Sequence, residues 1–141
     1  MTEQHTTYFD LHTQGLGYLH RAREVTPKRG ESFLAVEISA LHGAEDAVQY
    51  TRFDTRVSGR EAQAIVRELM PAIEAEKRVL VGFKLGDLYA EPFQYEKGEK
   101  KGQMGVRLKA RLLSIHWAKI DGEYAVRPRS QESDTPRQIA A

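Results

Sequence analysis

With 141 residues, 40% of them hydrophobic, and a formal net charge of +1, the chain can fill one cored domain but not two, and its bulk charge assigns it no polyanionic partner. It has no cysteine, which excludes disulfides, thiolate chemistry and zinc sites built on sulfur, and fits a reducing compartment. No apolar run nears the roughly 20 residues that cross a bilayer, and the polar start lacks the basic-then-apolar order of a secretion signal, so a cytoplasmic protein with no membrane partner is expected.

Residues 1–10 read as a flexible leader. Residues 15–25 are β-compatible and end at Thr26, Pro27, Lys28, Arg29 and Gly30, whose proline and glycine mark a turn. Residues 33–41 alternate, with Leu34, Val36, Ile38 and Ala40 on one face and Phe33, Ala35, Glu37 and Ser39 on the other, as a half-buried second strand does. After a loop at 42–47, residues 48–57 form a third strand. One face of it, Val48, Tyr50, Arg52, Asp54 and Arg56, is rich in arginine and carries a tyrosine.

Ser58 followed three residues later by Glu61 matches a capping box, so a helix should begin there, with Ala62, Ile65, Val66, Leu69 and Ile73 as its apolar stripe. Pro71 lacks an N–H and should kink that helix near Met70 or restart it as a second segment. Residues 78–85 set Val79, Val81, Phe83 and Leu85 against Leu80, Gly82 and Lys84, which makes a fourth strand that Gly86 and Asp87 are placed to bend. Tyr89, Glu91, Phe93 and Tyr95 then share a face up to a turn-rich tip at 96–103. The return arm, 104–117, sets Val106, Leu108, Ala110 and Leu112 against Arg107, Lys109 and Arg111, so a long hairpin joins the fourth and fifth strands. Apolar density falls beyond Ile120, and residues 121–141 are expected to be a disordered tail, leaving 11–120 as the folded domain.

Three strands, a helix, then two strands joined by a long hairpin is the element order of the five-stranded OB fold, an all-β barrel with one helix between its third and fourth strands. An open α+β sheet with the helix on one face is the rival that periodicity leaves open.

The stretches at 17–25, 33–40 and Tyr50-Thr51-Arg52-Phe53, the Ser58-Gly59 turn into a helix, Lys77-Arg78-Val79-Leu80-Val81-Gly82, and the hairpin into 106–115 resemble the OB domain of bacterial single-stranded DNA-binding protein (SSB) in layout and texture. Tyr8-Phe9-Asp10-Leu11-His12, Tyr50-Thr51-Arg52-Phe53-Asp54, Val79-Leu80-Val81-Gly82-Phe83 and the 95–103 tip are more specifically similar to a domain-of-unknown-function family. Its members are often labelled replication proteins of integrative and conjugative elements, and the similarity spans roughly residues 8–120. That likeness implies a mobile-element setting and a replication or transfer role. The SSB likeness implies that Tyr50 is the positional counterpart of a strand-contacting aromatic. Two features depart from SSB: the end Pro136-Arg137-Gln138-Ile139-Ala140-Ala141 lacks an acidic apolar tip, and tyrosine and phenylalanine stand where tryptophan is more usual there.

Binding a single strand asks for aromatic planes on which bases stack and cations that follow the phosphates, with stacking contributing about 1–3 kcal/mol per base. Candidate platforms are Phe33, Tyr50, Tyr89, Phe93 and Tyr95; candidate cations are Arg52, Arg56, Lys84, Lys97, Lys100, Lys101, Arg107 and Lys109. Phe93 and Tyr95 could equally pack in a subunit contact or the barrel mouth, and Trp117 reads as core or interface. No enzyme is indicated. The five histidines are scattered without metal-ligand spacing, Gly15-Leu16-Gly17 stops short of a dinucleotide fingerprint, and no phosphate loop or nucleophile elbow occurs, so no metal or cofactor is expected.

The sequence thus points to a protein that binds single-stranded nucleic acid, DNA in the first instance, with self-association and contacts to other replication proteins as further expectations. The alternative is an OB-fold protein–protein interaction module of a replication complex that uses the same hairpin and binds little or no DNA.

Overall fold

Alternation in the sequence becomes strand pairing in the structure, a computed structural model that describes residues 7–128. The elements run β1 (Thr13–Val25), β2 (Phe33–Ala44), β3 (Ala47–Val57), α1 (Arg60–Glu74), β4 (Val79–Gln94), β5 (Met104–Ile120) and β6 (Glu123–Val126). Neighbouring strands follow the order β3-β2-β1-β4-β5-β6 and pair antiparallel, while residues 53–57 of β3 pair in parallel with 108–112 of β5. That extra pairing partly closes the sheet into a ring, β1-β2-β3-β5-β4 and back to β1, which removes much of the open edge a flat sheet would leave. Among the described residues no helix is long and apolar enough to cross a membrane.

The core fills the inside of this ring. Leu34, Val36 and Ile38 from β2, Phe53 and Val57 from β3, Val79, Val81, Phe83 and Leu85 from β4, and Leu112 from β5 are all buried, each side chain of this kind contributing about 1.5–3 kcal/mol when removed from water. Ala62, Val66, Leu69 and Ile73 present one helical stripe to the same core, as their spacing requires. The one buried polar side chain among the described residues, Thr55, is satisfied: its Oγ1 donates to the Val36 carbonyl at 2.8 Å.

Three local expectations are corrected. The helix is not opened by Ser58. Its N-cap is Gly59 at φ 93°, ψ 151°, with no side-chain cap hydrogen bond, and the Ser58 N–H instead donates to the Leu112 carbonyl at 2.9 Å. Ser58 therefore still extends the β3–β5 ladder, and the chain turns into the helix at the following residue, where only glycine adopts such a backbone without strain. Pro71 does not divide the helix, which runs unbroken from Arg60 to Glu74. In its last turn the proline forfeits a single intrahelical bond, and its own carbonyl accepts from the Ala75 N–H at 3.0 Å.

The stretch assigned to a tail from 121 onward begins with structure. Asp121 and Gly122, at φ 50° and 89°, make a two-residue turn into β6, the positive φ at both centres that an Asp-Gly hairpin turn supplies. Residues 129–141, the rest of that expected tail, lie outside the described residues, as do residues 1–6 of the expected leader.

Of the register shifts in the sheet, two carry a positive φ at a residue other than glycine. Arg21 (φ 52°) and Ala22 together oppose Val36 alone, and Asp87 (φ 53°) and Leu88 together oppose Ala110 alone. The second lies where Gly86 and Asp87 were expected to bend β4. Beyond it, residues 89–94 and 104–109 pair as a hairpin arm, and the tip is held by the Tyr95 N–H on the Gln103 carbonyl at 2.9 Å and the Gly102 N–H on the Tyr95 carbonyl at 2.8 Å.

Candidate functional site

Because Phe53, Thr55 and Val57 point into the core, the alternate residues of β3, Tyr50, Arg52, Asp54 and Arg56, stand on the outside of the sheet. Their β2 register partners are Leu41, Ser39, Glu37 and Ala35 in turn. The hairpin arm adds Phe93, Tyr95, Val106, Arg107 and Leu108, and with Arg21, Arg23, Tyr50 and Arg52 these line a groove of about 750 Å³. A second groove of about 420 Å³ adjoins it, sharing Arg23 and Asp54, and is lined by Phe33, Arg56, Tyr89, Lys109 and Arg111 among others.

The aromatic rings in these grooves differ in what covers them. The Arg107 guanidinium stands 4.1 Å from the Phe93 centroid, that of Arg56 4.3 Å from Phe33, and the Lys100 ammonium 5.4 Å from Tyr95, all within cation–π range. Phe93 and Tyr95 also meet edge to face at 4.8 Å. Gly105 makes room for that pair, since a Cβ there would sit 2.7 Å from Phe93 Cζ and 2.9 Å from Tyr95 Cε2. Among the described residues no cation stands over Tyr50 or Tyr89, and these two rings are the more open, at 58% and 54% exposed.

Charge on the floor is organised around two carboxylates facing each other across the β2–β3 register, Glu37 and Asp54. Glu37 takes Arg21 at 2.8 Å and Arg52 at 3.6 Å; Asp54 takes Lys109 at 3.4 Å and Arg23 at 3.8 Å. Directly opposed like charges repel, and the four cations around them offset that repulsion. Across the two grooves, Arg21, Arg23, Arg52, Arg56, Arg107, Lys109 and Arg111 face Glu37, Asp54 and Asp87. Positive charge is therefore in excess on this face, although the whole chain is nearly neutral.

Of the residues singled out from sequence, Phe33, Tyr50, Arg52, Arg56, Tyr89, Phe93, Tyr95, Arg107 and Lys109 come together around these grooves. Lys97, Lys100 and Lys101 sit exposed on the hairpin tip, where Lys100 reaches back to Tyr95. Lys84 does not join them. It precedes the Asp87 bulge, with Gln14 and Ser114 as its cross-strand neighbours, and its charge acts on His116. Trp117 lies over Gly82 and meets Tyr124 edge to face at 6.5 Å.

Arg21, Arg23, Arg111 and Gly105 were not singled out. The first two reach the groove because the β1 bulge resets alternation, an event a period-two reading does not contain. Arg111 was visible on the polar face of the return arm. Among the described residues no group of three or more His, Asp or Glu side chains is placed to hold a metal ion. What the arrangement offers chemically is flat apolar surface flanked by fixed positive charge.

A family model described as Protein of unknown function (DUF3577) matches residues 2–134 of the chain. No curated protein and no solved structure matches it.

Proposed function

This chain belongs to the DUF3577 family, and from that premise and the paired grooves we propose that it is an OB-type barrel that binds single-stranded nucleic acid, DNA in the first instance, with little sequence preference. The β1-β2-β3-β5-β4 ring with its helix after β3 supports the OB reading. The observation that carries the functional reading is the convergence of aromatic rings and cations on one continuous outer face. Bases stack on Tyr50 and Tyr89, whose faces are open. Arg52, Arg56, Arg107 and Lys109 follow the phosphates, and the lysines of the hairpin tip extend that positive track. A duplex keeps its bases stacked on one another and has no plane to offer these rings. The setting that fits is replication or transfer of a mobile element in the cytoplasm, with self-association and contacts to other replication proteins alongside. No catalytic step is assigned to it.

A protein–protein interaction module is the second reading. It is favoured by Met104 and Val106, each 65% exposed on the return arm of the same hairpin. Titration of labelled single-stranded and duplex oligonucleotides at several salt concentrations separates the two. Strand binding gives a preference for single strands and a log affinity that falls by about 0.7 per phosphate contact per log unit of salt. No binding to either form, together with concentration-dependent mass in light scattering, favours the interaction module.

A further inference from the structure

One transverse row of residues crosses all six strands on the outside of the sheet. In register it runs Arg52, Ser39, Tyr18, Leu80, Lys119, Tyr124, from β3 through β2, β1, β4 and β5 to β6. Their chain neighbours Phe53, Ile38, Leu19, Val81 and Ala118 are buried, which fixes the row as outward-facing. At about 4.8 Å between strands it spans roughly 24 Å.

The row begins in the groove already described and leaves it. A groove of about 740 Å³ shares Arg21, Glu37, Tyr50 and Arg52 with the hairpin groove and extends to Tyr18 and Arg78. Those last two also line a third space of about 320 Å³, with Leu80 and Lys119.

Along this path the pairing of ring and cation recurs twice. The Arg78 Nη2 donates to the Tyr18 hydroxyl at 3.3 Å, its guanidinium 5.7 Å from the ring centroid. Tyr124 is flanked by the Lys119 ammonium at 4.8 Å and the Arg127 guanidinium at 5.1 Å, and is 42% exposed. Of the nearby acids, Glu37 on the sheet is already held by Arg21 and Arg52, Glu74 and Glu76 stand at and just after the end of α1, and the Asp121 Oδ1 is engaged in accepting the Arg78 backbone N–H at 3.1 Å. The sheet side of the path is therefore its basic side.

We propose that this row is a second subsite for the same single strand, receiving the nucleotides that leave the hairpin groove past Tyr50 and carrying them over Tyr18 to Tyr124. The proposal rests on the strand-binding function above. At the stacked spacing of about 3.4 Å per phosphate, the closest a strand adopts, the row of about 24 Å has room for at most about seven nucleotides, and for fewer in an extended strand.

The test is length dependence. Labelled oligothymidylates of about 5 and about 15 nucleotides, within the range one OB domain covers, are titrated against the wild-type chain and against Tyr124→Ala and Arg78→Ala, made separately because each alters a different part of the row. The expected result is equal affinity of all three proteins for the short strand and an approximately tenfold loss by each variant for the long one. The unchanged short-strand affinity also reports that the variants are folded. Long-strand affinity unchanged in both variants overturns the second subsite while leaving the hairpin groove standing. An equal loss at both lengths overturns it as well, because the row would then act through the fold. Failure of the wild-type chain to bind either strand overturns the underlying function, and this proposal with it.

Discussion

Replacing Asp54 by asparagine should make the protein bind a single strand more tightly and with a steeper salt dependence. Asp54 holds Lys109 at 3.4 Å and Arg23 at 3.8 Å, and its side chain is only 18% exposed, so both cations are partly committed to it. Asparagine keeps the shape and removes the charge. Each cation released to a phosphate should then add about 0.7 to the magnitude of the log–log salt slope, which at 0.1 M salt corresponds to roughly fivefold in affinity. Two released cations therefore predict a slope steeper by about 1.4 and a gain of about 25-fold.

The cost to the fold should be small. Part-exposed pairs of this kind contribute about 0–1 kcal/mol each, and the substitution also relieves the direct opposition of Asp54 to Glu37. Fluorescence anisotropy of a labelled oligothymidylate across a salt series, alongside urea unfolding, measures both quantities. An unchanged or shallower slope with unchanged stability would mean that Arg23 and Lys109 do not meet phosphate, and the groove would lose its electrostatic rationale.

Tyr50→Ala should weaken binding by about 1–3 kcal/mol, the range for one stacked base, and leave the salt slope unaltered, whereas the Lys100→Ala, Lys101→Ala double variant should flatten the slope; the same anisotropy series reads both. Gly105→Ala places a Cβ 2.7 Å from Phe93 Cζ, which forces the Phe93–Tyr95 pair off the return arm. Strand affinity and the near-ultraviolet circular dichroism of the hairpin tyrosines should then change while the urea midpoint barely moves. His116 has a pKa lowered from its ordinary value by partial burial and then by the Lys84 charge. Its contribution to stability is present above the unfolded-state pKa of about 6.5 and is lost as pH falls through the lower folded value, so urea midpoints measured from pH 7.5 to 5 should fall less steeply in His116→Gln than in the wild type.

How much of this was legible follows from which residues obey a period. Leu34, Val36, Ile38, Phe53, Val81, Phe83 and Leu112 alternate strictly, so the strands, the core and the identity of the outward face of β3 could be read directly. The hairpin was legible for the same reason. The helix start was not, because the capping-box letters at Ser58 and Glu61 are satisfied by a sequence in which the sheet still claims Ser58. β6 was missed although Asp121-Gly122 carries a recognised hairpin signal; polarity after Ile120 outweighed it. Ring closure through β3 and β5 has no local signature at all, since parallel pairing joins segments that are more than fifty residues apart.

The grooves arise where alternation breaks. Without the bulge at Arg21, regular alternation from Leu19 would point Arg21 into the core and Ala22 outward. The positive φ at Arg21 absorbs the extra residue, keeps Ala22 buried, and leaves Arg21 and Arg23 beside Glu37 and Asp54. The bulge at Asp87 reverses the alternation after Leu85 in the same way and carries Tyr89 and Phe93 to the side where Arg56 and Arg107 stand. Such a backbone costs about 1–2 kcal/mol at a residue other than glycine. Straightening either strand would recover that cost and lose one wall of the groove. The strain at Arg21 therefore serves the core and the face together, since a regular β1 would bury an arginine in place of Ala22, and the strain at Asp87 turns Tyr89 and Phe93 out to the groove.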